Sequence, residues 1–164
     1  MPERRIPAPA RAALGPLAAV VADAEATDVF VTADGGVWRD RGAGAERVPG
    51  LRLEPDAARA LAVGLIAAGG RHVDEATPCA DVRLGEGMRV HVALPPIAWG
   101  GTAISVRLPR VQRVTLDAWG LEAQALAALR VALVDRRTVL FTGATGSGKT
   151  TLMAAWLSDA LASD

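Results

Sequence analysis

Eight residues near the carboxy end, Gly143-Ala144-Thr145-Gly146-Ser147-Gly148-Lys149-Thr150, fit the pattern G-x-x-x-x-G-K-[ST]. Such a run constrains its surroundings strongly, because it works only between a strand and a helix. Glycines let the backbone curl so that successive N–H groups point inward at phosphate oxygens. The following helix adds its positive N-terminal end. A lysine then reaches the β- and γ-phosphates, and a threonine hydroxyl ligates Mg²⁺. Lys149 is the only lysine among the 18 Lys and Arg residues of the chain. A compact ammonium on a flexible stem suits this position, where a planar guanidinium does not.

The flanks satisfy the requirement. Thr138-Val139-Leu140-Phe141-Thr142 is a short apolar run that predicts a parallel strand covered on both faces. After the loop, Leu152, Met153, Trp156 and Leu157 recur at helical spacing and predict a helix with those residues inward. The candidate nucleotide-binding residues are therefore Gly143, Ala144, Thr145, Gly146, Ser147, Gly148, Lys149, Thr150 and Thr151, with Thr150 as the Mg²⁺ ligand. The competing reading is a glycine-rich turn that matches the pattern by chance.

Upstream the pattern is different. Residues 1–10 hold three prolines and predict a loose tail, and Arg11 to Asp23 predicts a helix. Asp28 to Thr32 and Val37 to Arg39 read as strands around the turn Ala33-Asp34-Gly35-Gly36, followed by a strand near Glu46 to Leu53. Pro55, with Asp56 complementing the helix dipole, opens a helix through Ala68 whose buried stripe is expected at Leu61, Leu65 and Ala68. Gly69-Gly70 stop it. Asp81 to Leu84 and Met88 to Leu94 alternate as strands around Gly85-Glu86-Gly87, and Thr102 to Leu108 adds another. Leu121 to Val134 places Leu126, Leu129 and Leu133 at helical spacing. The expected organisation is a tail over 1–10, an α+β domain with a mixed sheet over 11–108, a linker over 109–116, and the beginning of an α/β phosphate-loop domain over 117–164.

Composition excludes several classes of function. Eighteen acidic residues balance eighteen basic ones, so no surplus of positive charge supports non-specific nucleic-acid binding. A single cysteine, Cys79, permits no internal disulfide, and His72 and His91 have no metal-ligand spacing around them. Asp74, Glu75 and Asp81 read as turn and sheet-edge carboxylates rather than an acid–base pair. No segment reaches the roughly 18 apolar residues of a spanning helix. Arg4, Arg5 and the alanine-rich stretch to Ala24 imitate a signal peptide only faintly, since Gly15-Pro16 interrupts it, so a cytoplasmic location is expected.

In order, the chain holds Thr27-Asp28-Val29, Gly70-Arg71-His72-Val73-Asp74-Glu75-Ala76-Thr77-Pro78 and Asp81-Val82-Arg83-Leu84. Gly87-Met88-Arg89-Val90, Leu94-Pro95-Pro96, Ile104-Ser105-Val106-Arg107 and the phosphate loop follow. This series resembles the secretion (traffic) ATPases of type II and type IV systems, and among them the TadA/CpaF-like branch of tight-adherence pili and conjugal-transfer loci. The resemblance covers nearly the whole chain after the tail. It implies an N-terminal domain over a RecA-like ATPase domain and ATP with Mg²⁺ between the two. It also implies a homo-hexameric ring at the inner face of the cytoplasmic membrane, docked on membrane platform proteins. Arg89 and Arg107 match family positions that approach the phosphates; the plainer alternative is that both cap strand ends or pair with neighbouring carboxylates. Thr32-Ala33-Asp34-Gly35 stands where family members often carry Asn-Gly.

Three readings stay open at this point. The chain is the ATP-binding front portion of a secretion motor, or an interaction and oligomerisation module of the same machinery, or a different phosphate-loop protein. Only about fourteen residues follow Thr150, without the downstream acidic strand and histidine segment that turnover in such enzymes needs. No catalytic set is therefore expected to be complete in these 164 residues.

Overall fold

The computed structural model describes residues 3–85, 87–109 and 115–161. It divides into two compact units, Met1–Val111 and Gln112–Asp164. Residues 110–114 of the expected linker lie outside the described residues.

The first unit is built on six strands: β1 (Asp28–Val31), β2 (Gly36–Asp40), β3 (Ala45–Arg52), β4 (Cys79–Leu84), β5 (Met88–Ala93) and β6 (Ala103–Arg107). Their spatial order is β3-β2-β1-β6-β5-β4. Every pairing is antiparallel, which corrects the expectation of a mixed sheet. The reason lies in the connections. Tight turns join β1 to β2, β2 to β3 and β4 to β5, and a short turn reverses the chain without a crossover helix.

Period-two alternation decides which face is covered. Val29 and Val31, Val82 and Leu84, Val90 and Val92, and Ile104 and Val106 are all buried, while the residues between them reach solvent. Helix α1 (Ala8–Leu14), the short α2 (Ala18–Val21) and α3 (Pro55–Ala68) supply the opposing layer, with α3 on β4, β5 and β6 and α1 on α3. Pro55 starts α3 at the position where a missing N–H costs nothing. Its buried face is Ala58, Ala62, Leu65 and Ile66. Leu65 is thus where the sequence puts it, but Leu61 is only half-buried and Ala68 is exposed. Small residues win because the helix sits close to the sheet. A Cβ on Gly69 would stand 2.3 Å from Val82 Cβ, so the end of α3 touches β4 directly. β3 carries Pro49, Arg47 and Arg52, the usual defences of an exposed strand.

The tail expected to be loose is ordered from Glu3 onward. Arg4 and Ile6 are buried, and α1 begins at Ala8 rather than near Arg11. The Arg4 N–H donates to the Ala22 carbonyl at 2.7 Å, and its guanidinium donates to the carbonyls of Ala26 (2.7 Å) and Pro109. One arginine therefore ties both ends of the first unit together. Burial lowers its pKa from the ordinary value, with the Asp23 carboxylate opposing that shift.

The second unit contains α4 (Ala123–Val134) and α5 (Lys149–Leu161) around a small cluster of Leu116, Ala132 and Trp156. Phe141 packs edge-on against Trp156 with ring centroids 5.6 Å apart, and the Trp156 indole N–H donates to the Leu129 carbonyl at 2.7 Å. In α5, Trp156 is buried and Leu152 half-buried, but Met153 and Leu157 are 41% and 47% exposed, contrary to the expected inward stripe.

Candidate functional site

The phosphate-loop pattern follows Thr142 and runs into the first two residues of α5. Residues 138–142 belong to no strand, because among the described residues no neighbour supplies a hydrogen-bond ladder. Their side chains still alternate. Val139 and Phe141 pack on the small cluster, and Leu140 is 84% exposed. The segment has the side-chain periodicity of a strand but none of its pairing.

Beyond it the backbone turns sharply. Gly143, Gly146 and Gly148 have φ of 150°, 80° and 85°, values L side chains rarely adopt. The Ser147 N–H donates to the Ala144 carbonyl at 3.2 Å, closing a tight turn. Residues 143–147 are exposed, with Gly148 and Lys149 half-buried behind them. The Leu152 N–H donates to the Gly148 carbonyl at 2.8 Å as α5 begins. The amides of Lys149, Thr150 and Thr151 stand ahead of that bond, where an α-helix offers no partner of its own. Lys149 Nζ donates to the Ala144 carbonyl at 2.5 Å, so the ammonium lies over the loop it follows. Thr150 and Thr151 are exposed. This arrangement fits a chain of phosphates: positive-φ glycines, free helix-start amides and one ammonium converge on an open turn. Among the described residues no group of three His, Cys, Asp or Glu side chains could hold a metal ion. A cation here would rest on the Thr150 hydroxyl and on phosphate oxygens.

Trp119 is part of the loop's support, with no motif or spacing that marks it. A Cβ on Gly148 would come within 2.6 Å of Trp119 Cη2, so the indole packs directly on the loop backbone. Among the described residues the buried Trp119 indole N–H has no hydrogen-bond partner. No periodicity connects a residue in the turn Asp117–Trp119 to a glycine twenty-nine positions on, which is why sequence reasoning missed it.

Arg89 and Arg107 lie in the first unit, directly opposite each other on β5 and β6. Both are exposed. Arg107 Nε donates to Asp28 Oδ1 at 3.1 Å, as the plainer alternative anticipated for it. The register places them in a longer row. Asp40, Asp28, Arg107, Arg89 and Arg83 face one another successively across β2, β1, β6, β5 and β4. Residues directly opposite share a face, so two carboxylates and three guanidiniums line up on the side of the sheet that the helices leave open. Arg83 was not singled out in the sequence. The signal was present, since Arg83 and Arg89 flank the Gly85–Gly87 turn symmetrically. Of the carboxylates read as structural, Asp74 accepts from the backbone N–H groups of Ala76 and Thr77, and Asp81 pairs with His91 at 2.9 Å.

Comparison with known proteins bears on both units. The model of the family described as type II/IV secretion system protein matches residues 13–164. A Mycobacterium tuberculosis protein named as a conjugal transfer protein, found in two strains, is 42% identical over 141 residues. The match takes in 80% of this chain and 40% of that protein. Among solved structures, the VirB11 ATPase of the Brucella suis type IV secretion system, in complex with sulphate, superposes with a TM-score of 0.59 at 24% identity. It covers 93% of this chain and 55% of that one. The pilus retraction motor PilT with bound ADP gives 0.60 at 21% identity, over 86% of this chain and 41% of that one. The Legionella pneumophila ATPase DotB gives 0.55 at 18%, over 97% and 44%. The chain thus spans about two fifths of the length of the M. tuberculosis relatives, and the three structures share its fold. The family model spans nearly the whole chain and both of its units: the chain belongs to the type II/IV secretion system protein family.

Proposed function

We propose that this chain carries the ATP-binding front portion of a secretion or pilus-assembly motor, of the TadA/CpaF-like, conjugal-transfer kind. The observation that carries the proposal is the turn Gly143–Gly148, with its positive-φ glycines and Lys149 Nζ lying over it. Glycine amides and the free amides at the start of α5 bind the phosphates, and Lys149 exchanges the Ala144 carbonyl for a β- or γ-phosphate oxygen. Thr150 offers its hydroxyl to Mg²⁺, which neutralises phosphate charge when bound, and Thr151 adds a hydroxyl toward the α-phosphate. Arg89 and Arg107 are the candidate phosphate contacts from the N-terminal unit. In the complete protein, ATP hydrolysis drives rigid-body motion between domains in a homo-hexamer docked at the inner face of the membrane. Nucleic acid is not a direct ligand. No helix among the described residues is long and apolar enough to cross a membrane.

The test is Lys149→Ala. A fluorescent ATP analogue should bind the unaltered chain with Mg²⁺ and lose at least tenfold in affinity to the variant, because a charge-assisted bond to phosphate is removed. Unchanged affinity refutes the site.

A second reading, that the chain acts as an interaction or oligomerisation module without nucleotide, is favoured by one observation. Val134 and Leu140 are 83% and 84% exposed, and among the described residues 138–142 pair with no strand. This reading predicts fast amide exchange across 138–142. Strong protection there in a monomer counts against it.

A further inference from the structure

We propose that the loop 95–101, between β5 and β6, is a lipid-contacting tip that sets Trp99 and Ile97 into the interface of a neutral bilayer. The proposal rests on the membrane docking put forward above and deepens it by naming the surface that touches lipid.

Trp99 is 93% exposed and Ile97 65%. Pro95, Pro96 and Gly100 beside them also face solvent. From Leu94 to Thr102 no side chain is charged. The tip is nonetheless firmly built. Leu94 and Thr102, at its two ends, are buried. The Ala98 N–H donates to the Leu94 carbonyl at 3.0 Å, and the Gly101 N–H to the Ala98 carbonyl at 3.3 Å. At Gly101 φ is 152°, and a Cβ there would stand 2.2 Å from the Ala33 carbonyl oxygen. The loop is therefore seated on the turn between β1 and β2. A slack loop would fold its indole back onto the protein, whereas this backbone holds it out in water.

Area and chemistry select the occupant. One indole buries at most about 250 Å², far below the ~800 Å² that each partner contributes to a specific protein interface. Such an interface also carries a polar rim, and the tip has no charged side chain to supply one. A bilayer interface demands neither. It takes an indole with the ring toward the acyl chains and the N–H among the headgroups. An uncharged loop enters without desolvating an ion. Asp34 is exposed on the turn that seats the loop, so anionic lipid gains no attraction there.

The experiment mixes the complete chain with phosphatidylcholine vesicles brominated along the acyl chains, and reads tryptophan emission alongside co-sedimentation. Of the four tryptophans, Trp38 and Trp119 are half-buried and Trp156 is buried, so quenching reports Trp99. Saturable quenching is expected. Trp99→Phe should abolish it while keeping co-sedimentation within about threefold, since an aromatic ring remains. Trp99→Ala should weaken co-sedimentation at least fivefold, and Val134→Ala, comparably exposed on the second unit, should leave it unchanged. Admixed phosphatidylglycerol should not strengthen binding. Absence of quenching, or binding that appears only with anionic lipid, overturns the proposal. So does self-association that is lost in Trp99→Ala, which assigns the tip to a second copy. Undiminished co-sedimentation of Trp99→Ala removes this surface and leaves membrane docking standing, whereas no co-sedimentation of the unaltered chain removes direct lipid contact altogether. Melting curves check that the variants remain folded.

Discussion

Arg4 and Asp23 carry weight that no motif announces, and Gly148 carries more than its motif requires. Arg4 is buried, yet it joins the carbonyls of Ala26 and Pro109. Arg4→Ala leaves those acceptors unpaired and should cost about 2 kcal/mol of the first unit's stability, read as a lower midpoint in urea. Asp23 receives Arg39 at 3.0 Å and Arg41 at 2.9 Å. Burial pushes its carboxyl up, but the Glu25 amide and the two guanidiniums outweigh that and hold it below its ordinary value of 3.8. A depressed carboxylate stabilises the fold above its unfolded value, and the contribution disappears as pH falls through the folded one. Urea melts should therefore lose stability on acidification below about pH 4, with a shallower loss in Asp23→Asn. Gly148 combines a φ of 85° with the Trp119 ring at its Cα. Gly148→Ala should destabilise the second unit by about 1–2 kcal/mol, and a cycle with Trp119→Ala should recover the steric share of it. Neither the roles of Arg4 and Asp23 nor the packing of Trp119 on Gly148 could be read locally. Arg4 looked like part of a proline-rich tail, because what orders it lies eighteen to more than a hundred residues away.

At the scale of elements, legibility followed periodicity. β4, β5 and β6 alternate so cleanly that their inward residues were evident, and Pro55 and Gly69 bounded α3. The buried side of α3 was harder, because leucine content pointed to Leu61 whereas close approach to the sheet selects Ala58 and Ala62. This yields a direct contrast. Ala62→Leu, at a position with no exposure, should overpack the interface and cost about 1–3 kcal/mol, while Ala68→Leu on the open side should leave the melting midpoint nearly unchanged. Residues 138–142 show the opposite limit. Their apolar run fixes which side chains turn inward, but a ladder requires a neighbour, and composition does not reveal one.

For the molecule as a whole, the sequence carried the family through the order of its motifs, and the family model and the M. tuberculosis relatives bear this out. The sheet's antiparallel order and the charge row from Asp40 to Arg83 emerge only when strands are set in register. In the proposed function, backbone amides around Gly143–Thr151 enclose a nucleotide's phosphates. Following the amide ¹H–¹⁵N resonances of the complete chain during addition of Mg·ATP tests this most directly. Large shifts should be concentrated at residues 143–151 and vanish from that segment in Lys149→Ala. Resonances of 143–151 that stay fixed at saturating Mg·ATP would contradict it.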